Sequence, residues 1–357
     1  MLAIKVPGKH AEHIRKHLKK HAMLDTKHIP ITRNNFIYFP ISTPKIDFAL
    51  PVGLRATGAE IVDKGFEHVG GKPSYRDMLR KTMAKDYEKV TRGYEVLGSI
   101  AIIEAEPRLA RKVAQVVMSV NSNVKTVLRK SGAVKGRYRT RTYAYVAGIR
   151  NYIADYRENG VLLRFDVRKT FFSGKLSYER ARLAALPKGR ENVIVMFAGV
   201  GPFAIELAKK NKSAEVVAIE LNKYAYGAML DNIRLNRAQN VTAVQGDVKK
   251  AAEKYRNFAD RIIMPLPKDS RSFLESVLVC AKKRCTIHYY TFVGSDGGTE
   301  KCTAELRNFF AGRGYSFKVL GIRTVRPYAH DTIEIVVDFR IAGRQLQGGT
   351  LNLALTS

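Results

Sequence analysis

Apolar residues recur along this chain in two rhythms, and the change from one to the other divides it. Up to about residue 175 the pattern is mixed. Residues 2–6 and 36–41 read as short strands, and between them 11–21 sets Ile14 and Leu18 on one side of a helix. Residues 75–89 and 106–120 carry helical spacing, 96–104 alternates as a strand, and 124–128 and 143–146 are further strands. Asn159-Gly160 is a hairpin dipeptide ahead of another strand at 161–167.

From Leu176 onward strands and helices alternate, which predicts a parallel α/β sheet. A helix at 178–186 leads into strands at 193–197, 216–220, 241–244, 259–264 and 285–290, with helices at 224–236 and 299–312. Strands at 315–323 and 332–340 close the pattern. Pro44, Pro51, Gly53, Gly58, Gly70-Gly71 and Pro73 punctuate a loop-rich connection. The expected domains are a small α+β unit over 1–68, a second over 73–175 and a Rossmann-like sheet over 176–342. A tail over 343–357, uncharged apart from Arg344, completes the chain.

The richest stretch is NVIVMFAGVGPFAIELAKK, residues 192–210. An apolar strand runs into Gly199 and Gly201, which lack a Cβ and let the backbone turn close to a ligand. Pro202 suits the first turn of the following helix, whose N–H groups then face the ligand. Gly199-x-Gly201-x-x-Ala204, with Glu220 about 20 residues on, fits an NAD site and an S-adenosylmethionine (AdoMet) site equally well. Two later features favour AdoMet. Glu220 and Asp247 close successive strands, the first suited to ribose hydroxyls and the second to an adenine amino group or a backbone amide. Pro265-Leu266-Pro267 follows the next strand, where ligands of open sheets bind, and two fixed φ angles there leave carbonyls free to face a planar acceptor.

Charge narrows the partner. Lys and Arg total 62 against 32 Asp and Glu, a formal net of +30. That balance suits a polyphosphate such as nucleic acid, and no separate basic tail or lipidation motif points to a membrane. In KSGAVKGRYRTRTYAY, Lys130, Lys135, Arg137, Arg139 and Arg141 interleave with Tyr138, Tyr143 and Tyr145, the pairing of cations and stacking rings that single-stranded RNA recognition uses. His10, His13, His17 and His21 share helical spacing, but lysines and arginines surround them and no carboxylate completes a site, so no metal is expected. Cys280, Cys285 and Cys302 have no zinc spacing and cannot all pair, which fits a reducing compartment. No apolar run is long enough to cross a bilayer and no signal-peptide pattern opens the chain, so a soluble, cytoplasmic protein is expected.

The segments GRYRTRTYAYVAG, RENGVLLRFDVRKTFFSGKLSYERAR, MFAGVGPF, AIELN, GDV, LPK and IHYYTF, in that order, resemble the archaeal and eukaryotic tRNA (guanine-37 N1)-methyltransferase family to about Ala342. The N-terminal unit resembles archaeal members with a small extra domain for the outer corner of tRNA. The resemblance implies a class I AdoMet methyltransferase (Rossmann-like) α/β sheet preceded by two smaller α+β domains, acting as a monomer on the anticodon arm. Arg139 would face the guanine oxygen as the N1 proton leaves, Glu179 would take that proton, and Arg180 would orient base or phosphate. The implied cofactor set is Phe197, Ala198, Gly199, Val200, Gly201, Pro202, Glu220, Leu221, Asp247, Pro265 and Pro267, with Pro265 also beside the target base. Lys135, Arg137, Arg139, Arg141 and Lys175 are the expected RNA contacts.

Three departures from the family matter. Phe171-Phe172-Ser173-Gly174-Lys175 stands where Tyr-Phe-(Ser/Asn)-Pro-Arg is common, Pro265 where Asn is common, and Val195, at the end of the strand before the glycine turn, where Asp is common. The second resembles an archaeal wyosine-synthesis subgroup, some of whose members also methylate C7 of a tricyclic precursor at position 37. Rival readings are an AdoMet-dependent aminocarboxypropyl transferase, a non-catalytic RNA-binding protein, and an NAD dehydrogenase that would leave the +30 charge unexplained.

Overall fold

A computed structural model of the protein describes residues 2–21, 23–42, 57–66, 73–91, 93–133, 136, 138, 140–187 and 189–343. Pro44, Pro51, Gly53, Gly70-Gly71, Lys135, Arg137, Arg139 and the tail from Arg344 lie outside the described residues. The chain packs as two units, Met1–Met78 and Leu79–Ser357.

In the first unit β1 (Leu2–Pro7), β2 (Ile31–Arg33), β3 (Phe36–Pro40) and β4 (Glu60–Asp63) form an antiparallel sheet in the order β2-β3-β1-β4. Helix α1 (Ala11–Lys20) buries Ile14 and Leu18 in a core with Ile4, Val6 and Phe39. His13 and His17 lie along its flank, and the rings of His17 and His21 lie 4.4 Å apart. β4 falls in the stretch read as connecting loop. Four residues are too few to show a period, and pairing with β1 from Leu2↔Asp63 to Lys5↔Glu60 makes them a strand.

Helix α2 (Tyr75–Thr82) runs across the division, its N-terminus closed by Ser74, whose hydroxyl donates to Asp77 Oδ2 and accepts from the Asp77 backbone N–H. The helix expected to continue to residue 89 ends at Thr82, and Tyr87–Lys89 forms a single 3-10 turn. Leu79, Met83, Tyr87 and Val90 are nonetheless all buried, so short turns serve the same apolar spacing.

In the second unit β5 (Glu95–Leu97), β6 (Ile100–Ile103), β7 (Thr126–Lys130) and β8 (Tyr143–Gly148) form one sheet. β6 and β7 are parallel, with α3 (Pro107–Val120) as their crossover. β9 (Ile153–Glu158) and β10 (Val161–Asp166) make the hairpin around Asn159-Gly160. The main sheet contains β11 (Asn192–Met196), β12 (Glu215–Glu220), β13 (Val241–Gln245), β14 (Ala259–Met264), β15 (Ala281–Gly294), β16 (Tyr315–Ala329) and β17 (Thr332–Gly343). Its order is β13-β12-β11-β14-β15-β17-β16, parallel from β13 to β15 and antiparallel beyond. The order reverses between β11 and β14, the topological switch point at which open sheets of this kind bind ligands.

Helices α4 (Ser177–Ala184), α5 (Pro202–Lys210), α6 (Lys223–Leu235), α7 (Val248–Ala251), α8 (Leu274–Cys280) and α9 (Gly298–Ala311) accompany that sheet. Val193 and Val195 of β11 point into one core, Ile194 and Met196 into another. The first core also holds Ile100, Leu128, Leu163 and Phe165, so residues of the expected second and third domains pack together. Asn232 and Asn236 fasten the hairpin to α6. The Asn232 Oδ1 accepts from the Arg164 N–H at 2.7 Å, and the Asn236 amide bonds both the N–H and the C=O of Leu162.

Candidate active site

The glycine turn leaves β11 under strain. Phe197 has φ +56°, unusual for an aromatic residue, and Gly199 and Gly201 follow at +59° and +91°. The Phe197 ring is fixed edge-on to Phe273 at 4.7 Å, and the Ala198 N–H donates to the Ile219 carbonyl at 2.9 Å. Gly201, Pro202 and Ala204 open α5, with Val200 buried beneath them.

Glu220 holds this turn in place. Its Oε2 accepts from the Gly199 N–H and its Oε1 from the Asn222 N–H, both at 2.7 Å. Burial raises the carboxyl above its ordinary value, and backbone donors from Asn222, Gly199 and Leu221 work against that rise. Each oxygen keeps a further lone pair, so Glu220 both braces the turn and offers acceptors beyond it. Asp247 caps α7, its Oδ1 accepting from the Lys249 N–H at 2.9 Å. Two acids at successive strand ends beside a glycine turn suit the diol and purine of an adenosyl group.

The segment after β14 differs from expectation. The Met264 carbonyl accepts from the Leu266 N–H, and the Leu266 carbonyl from the Ser270 hydroxyl at 2.6 Å. These two carbonyls are therefore engaged internally, because the tight turn at Pro265 and Pro267 folds the chain back on its own donors. Pro265 and Pro267 themselves are half-buried at the carboxyl end of β14.

Glu179 lies in the first turn of α4 and is 5% exposed. Arg182, one turn on, donates to both of its oxygens at 2.8–3.1 Å. The Tyr290 hydroxyl donates to Oε2 at 2.8 Å. Tyr290 belongs to β15, one residue past Tyr289, which pairs with Met264 at the carboxyl end of β14. Its ring also meets Phe203, in the first turn of α5, edge-on at 6.1 Å. The buried carboxylate is thus tied through one tyrosine to the helix that the glycine turn opens.

Arg180 does not have the outward role expected of it. Its side chain is 2% exposed, and it donates to Glu158 Oε1 at 2.5 Å and Oε2 at 2.7 Å and to the Ser173 carbonyl at 3.1 Å. Glu206 Oε1 stands 3.6 Å from the same guanidinium. Burial and the neighbouring Glu158 push the Glu206 carboxyl up to about 8. With Nε and Nη2 bonded to Glu158 and Ser173 and the side chain buried, the guanidinium joins α4, α5 and the hairpin.

Arg141 and Lys175 both act on Glu104, whose carboxyl is held below its ordinary value first by the hydrogen bond from Lys130 and then by these cations. That places Lys130, Arg141 and Lys175 in one basic cluster. Gly174, where the family carries proline, leaves room for Tyr156: a Cβ there would stand 2.8 Å from the tyrosine hydroxyl. Sequence reasoning did not single out Arg182, Tyr290, His288 or Asp338. Only the IHYYTF segment, with His288 and Tyr290 two apart on one face of a strand, hinted at the last layer.

An open seven-stranded sheet of this order, with a glycine turn at its switch point and acids closing the next two strands, defines a class I AdoMet methyltransferase fold. Residues 154–316 match the TRM5/TYW2 methyltransferase domain, 75–151 the TYW2 N-terminal domain and 3–47 the tRNA methyltransferase 5 N-terminal domain. The chain belongs to the TRM5/TYW2 methyltransferase family.

It is 36% identical over 351 residues to the tRNA (guanine(37)-N(1))-methyltransferase Trm5b of Pyrococcus abyssi, covering 96% of this chain and 99% of that one. It is 34% identical over 267 residues to the tRNA 4-demethylwyosine(37)-methyltransferase Taw21 of Saccharolobus solfataricus, covering 73% and 99%. The crystal structure of the Pyrococcus abyssi Trm5b superposes with a TM-score of 0.72 at 34% identity over 96% of this chain and 99% of that one. A complex of aTrm5 with tRNALeu superposes at 0.66 and 27% identity, covering 95% and 99%. The Methanocaldococcus jannaschii TYW2 in complex with AdoMet superposes at 0.58 and 26% identity, covering 71% and 100%.

Proposed function

We propose that this protein methylates N1 of guanine at position 37 of tRNA, with AdoMet as donor. The observation that carries the reading is Glu179: a buried carboxylate, oriented by Arg182 and Tyr290, tied to the first turn of α5 beside the glycine turn. Its full-length likeness to a Trm5b supplies the substrate class.

N1 of guanine carries a proton at neutral pH and is a poor nucleophile until that proton leaves. Glu179 accepts it, and Arg139 faces the oxygen on which negative charge develops. AdoMet, when bound, supplies an electrophilic methyl group on a sulfonium. Glu220 and Asp247 accept from its ribose and purine, Gly199, Gly201 and Pro202 let the backbone approach it, and Phe197, Ala198, Val200, Leu221, Pro265 and Pro267 complete the walls. Lys135, Arg137, Arg141 and Lys175 hold the anticodon arm, and the N-terminal unit reaches the outer corner. The protein acts as a monomer in the cytoplasm.

A second activity, methylation at C7 of a tricyclic wyosine precursor, is favoured by Pro265 in place of the family asparagine and by the likeness to a Taw21. The deciding experiment incubates the protein with unmodified tRNA and methyl-labelled AdoMet and analyses the nucleosides by mass. Labelled 1-methylguanosine at position 37 is the expected product. Methylthioadenosine without label in the tRNA would mean aminocarboxypropyl transfer, and precursor-bearing tRNA that takes up no methyl would remove the second activity.

A further inference from the structure

Behind Glu179 a chain of buried polar groups crosses the sheet. Arg182, which holds Glu179, also donates to Asp338 Oδ2 at 2.7 Å. Asp338 of β17 stands directly opposite His288 of β15 in the strand register, and its Oδ1 lies 2.7 Å from His288 Nδ1. On the far side His288 Nε2 lies 2.7 Å from Arg261 Nη1. Arg261 in turn pairs with Glu191 at 2.8 Å. His288 is 1% exposed and Asp338 7%.

Proton chemistry fixes the state of each member. A guanidinium only donates, so Arg261 must place its N–H on an unprotonated His288 Nε2. The imidazole proton is then on Nδ1 and donates to Asp338. Burial, with Arg261 and Arg182 nearby, holds His288 below its ordinary value despite the pull of Asp338. Asp338 stays ionised, its carboxyl held below the ordinary value by His288 and Arg182 against the effect of burial.

Arg182 therefore divides its charge between two carboxylates. We propose that Asp338, locked in place by the neutral His288, is a positioning residue that shares the Arg182 guanidinium with Glu179 and so sets the geometry and charge with which Arg182 meets the carboxylate that takes the guanine proton. The inference rests on Glu179 as the base. The groups that bear on it are Arg182 from α4, Tyr290 and His288 from β15, Asp338 from β17 and Arg261 from β14.

The test compares single-turnover methyl transfer by the wild type, Asp338→Asn and Glu179→Gln between pH 5.5 and 9, alongside AdoMet affinity by calorimetry. Asp338→Asn should lower the plateau rate by about 5- to 20-fold and move the acid limb down by about one pH unit, with AdoMet affinity unchanged. A lower plateau with no movement of the limb would overturn the proposal, since it would mark a structural loss alone. A normal rate for Glu179→Gln would instead remove the base itself. Should Asp338→Asn not fold, ring nitrogen NMR of the wild type still decides. A His288 that stays neutral and Nδ1-protonated across that pH range is expected, and one that titrates or carries its proton on Nε2 overturns the lock.

Discussion

Tyr290 donates its hydroxyl proton to Glu179 Oε2 at 2.8 Å while its ring meets Phe203 edge-on, so the buried acid is linked to the helix that the glycine turn opens. Of the donors on Glu179, Tyr290 is neutral and Arg182 charged. The two can therefore be separated by substitution.

Glu179→Gln keeps size and shape but cannot accept a proton. Methyl transfer should slow by roughly 10²–10⁴-fold with AdoMet affinity nearly unchanged. Tyr290→Phe removes one neutral donor from the carboxylate, and the acid limb of the rate profile should move upward. That is opposite to the shift expected for Asp338→Asn. Both limbs are read from the same single-turnover assay, and an upward shift in both variants would contradict the charge-sharing account.

Gly201 is the tightest point of the glycine turn. A Cβ there would lie 2.9 Å from Met229 Cγ and 3.0 Å from Ile205 Cδ1, at a φ of +91° that L residues avoid. Gly201→Ala should cost about 1–3 kcal/mol of stability and weaken AdoMet binding as the turn shifts. Thermal melts and calorimetry on the one variant report both. At Gly174 the conflict is with a single hydroxyl, so Gly174→Ala should be destabilising alone and largely rescued by Tyr156→Phe.

How much of this was legible follows from where each constraint lies. The glycine turn and Glu220 could be read because one backbone segment and the next strand end specify them. The Glu179–Arg182 pair was also present in YERAR, three residues apart on one helix face. Arg180 was given a role and Arg182 none, yet two positions apart on a helix they face different sides. Glu158, supplied by a hairpin 22 residues earlier, draws Arg180 into the core. Asp338 and His288 were hidden for a similar reason: strand register across 50 residues brings them together, and no local pattern announces a register. β4 was missed because its partner strand, not its own composition, defines it.

The +30 formal charge predicts how tRNA binding responds to salt. Each neutralised phosphate should contribute a slope of about −0.7 to −0.9 to the log of affinity against the log of salt. Substituting Arg141 or Lys175 should reduce the total slope by about one such step each. Filter binding across a salt series checks this, and a flat response would leave the charge without a nucleic-acid role.

The Arg180 cluster predicts a stability change with pH. One guanidinium faces two carboxylates, and the cluster is neutral only while Glu206 holds a proton. Among the described residues, Glu206 Oε1 is the buried side-chain oxygen without a hydrogen-bond partner. Folded, Glu206 takes up its proton near 8, against an ordinary value of 4.5 when unfolded. The folded state therefore binds more protons between those values, and its stability falls as pH rises through the window and is lowest above it. Glu206→Gln puts a neutral amide of the same size, still able to hydrogen-bond, in place of the carboxyl and removes the titration. It should match the wild type near pH 4, below that window, and melt higher by on the order of a few degrees at pH 9. Parallel melting curves for the two proteins at every pH would mean that Glu206 does not carry the proton that the cluster requires.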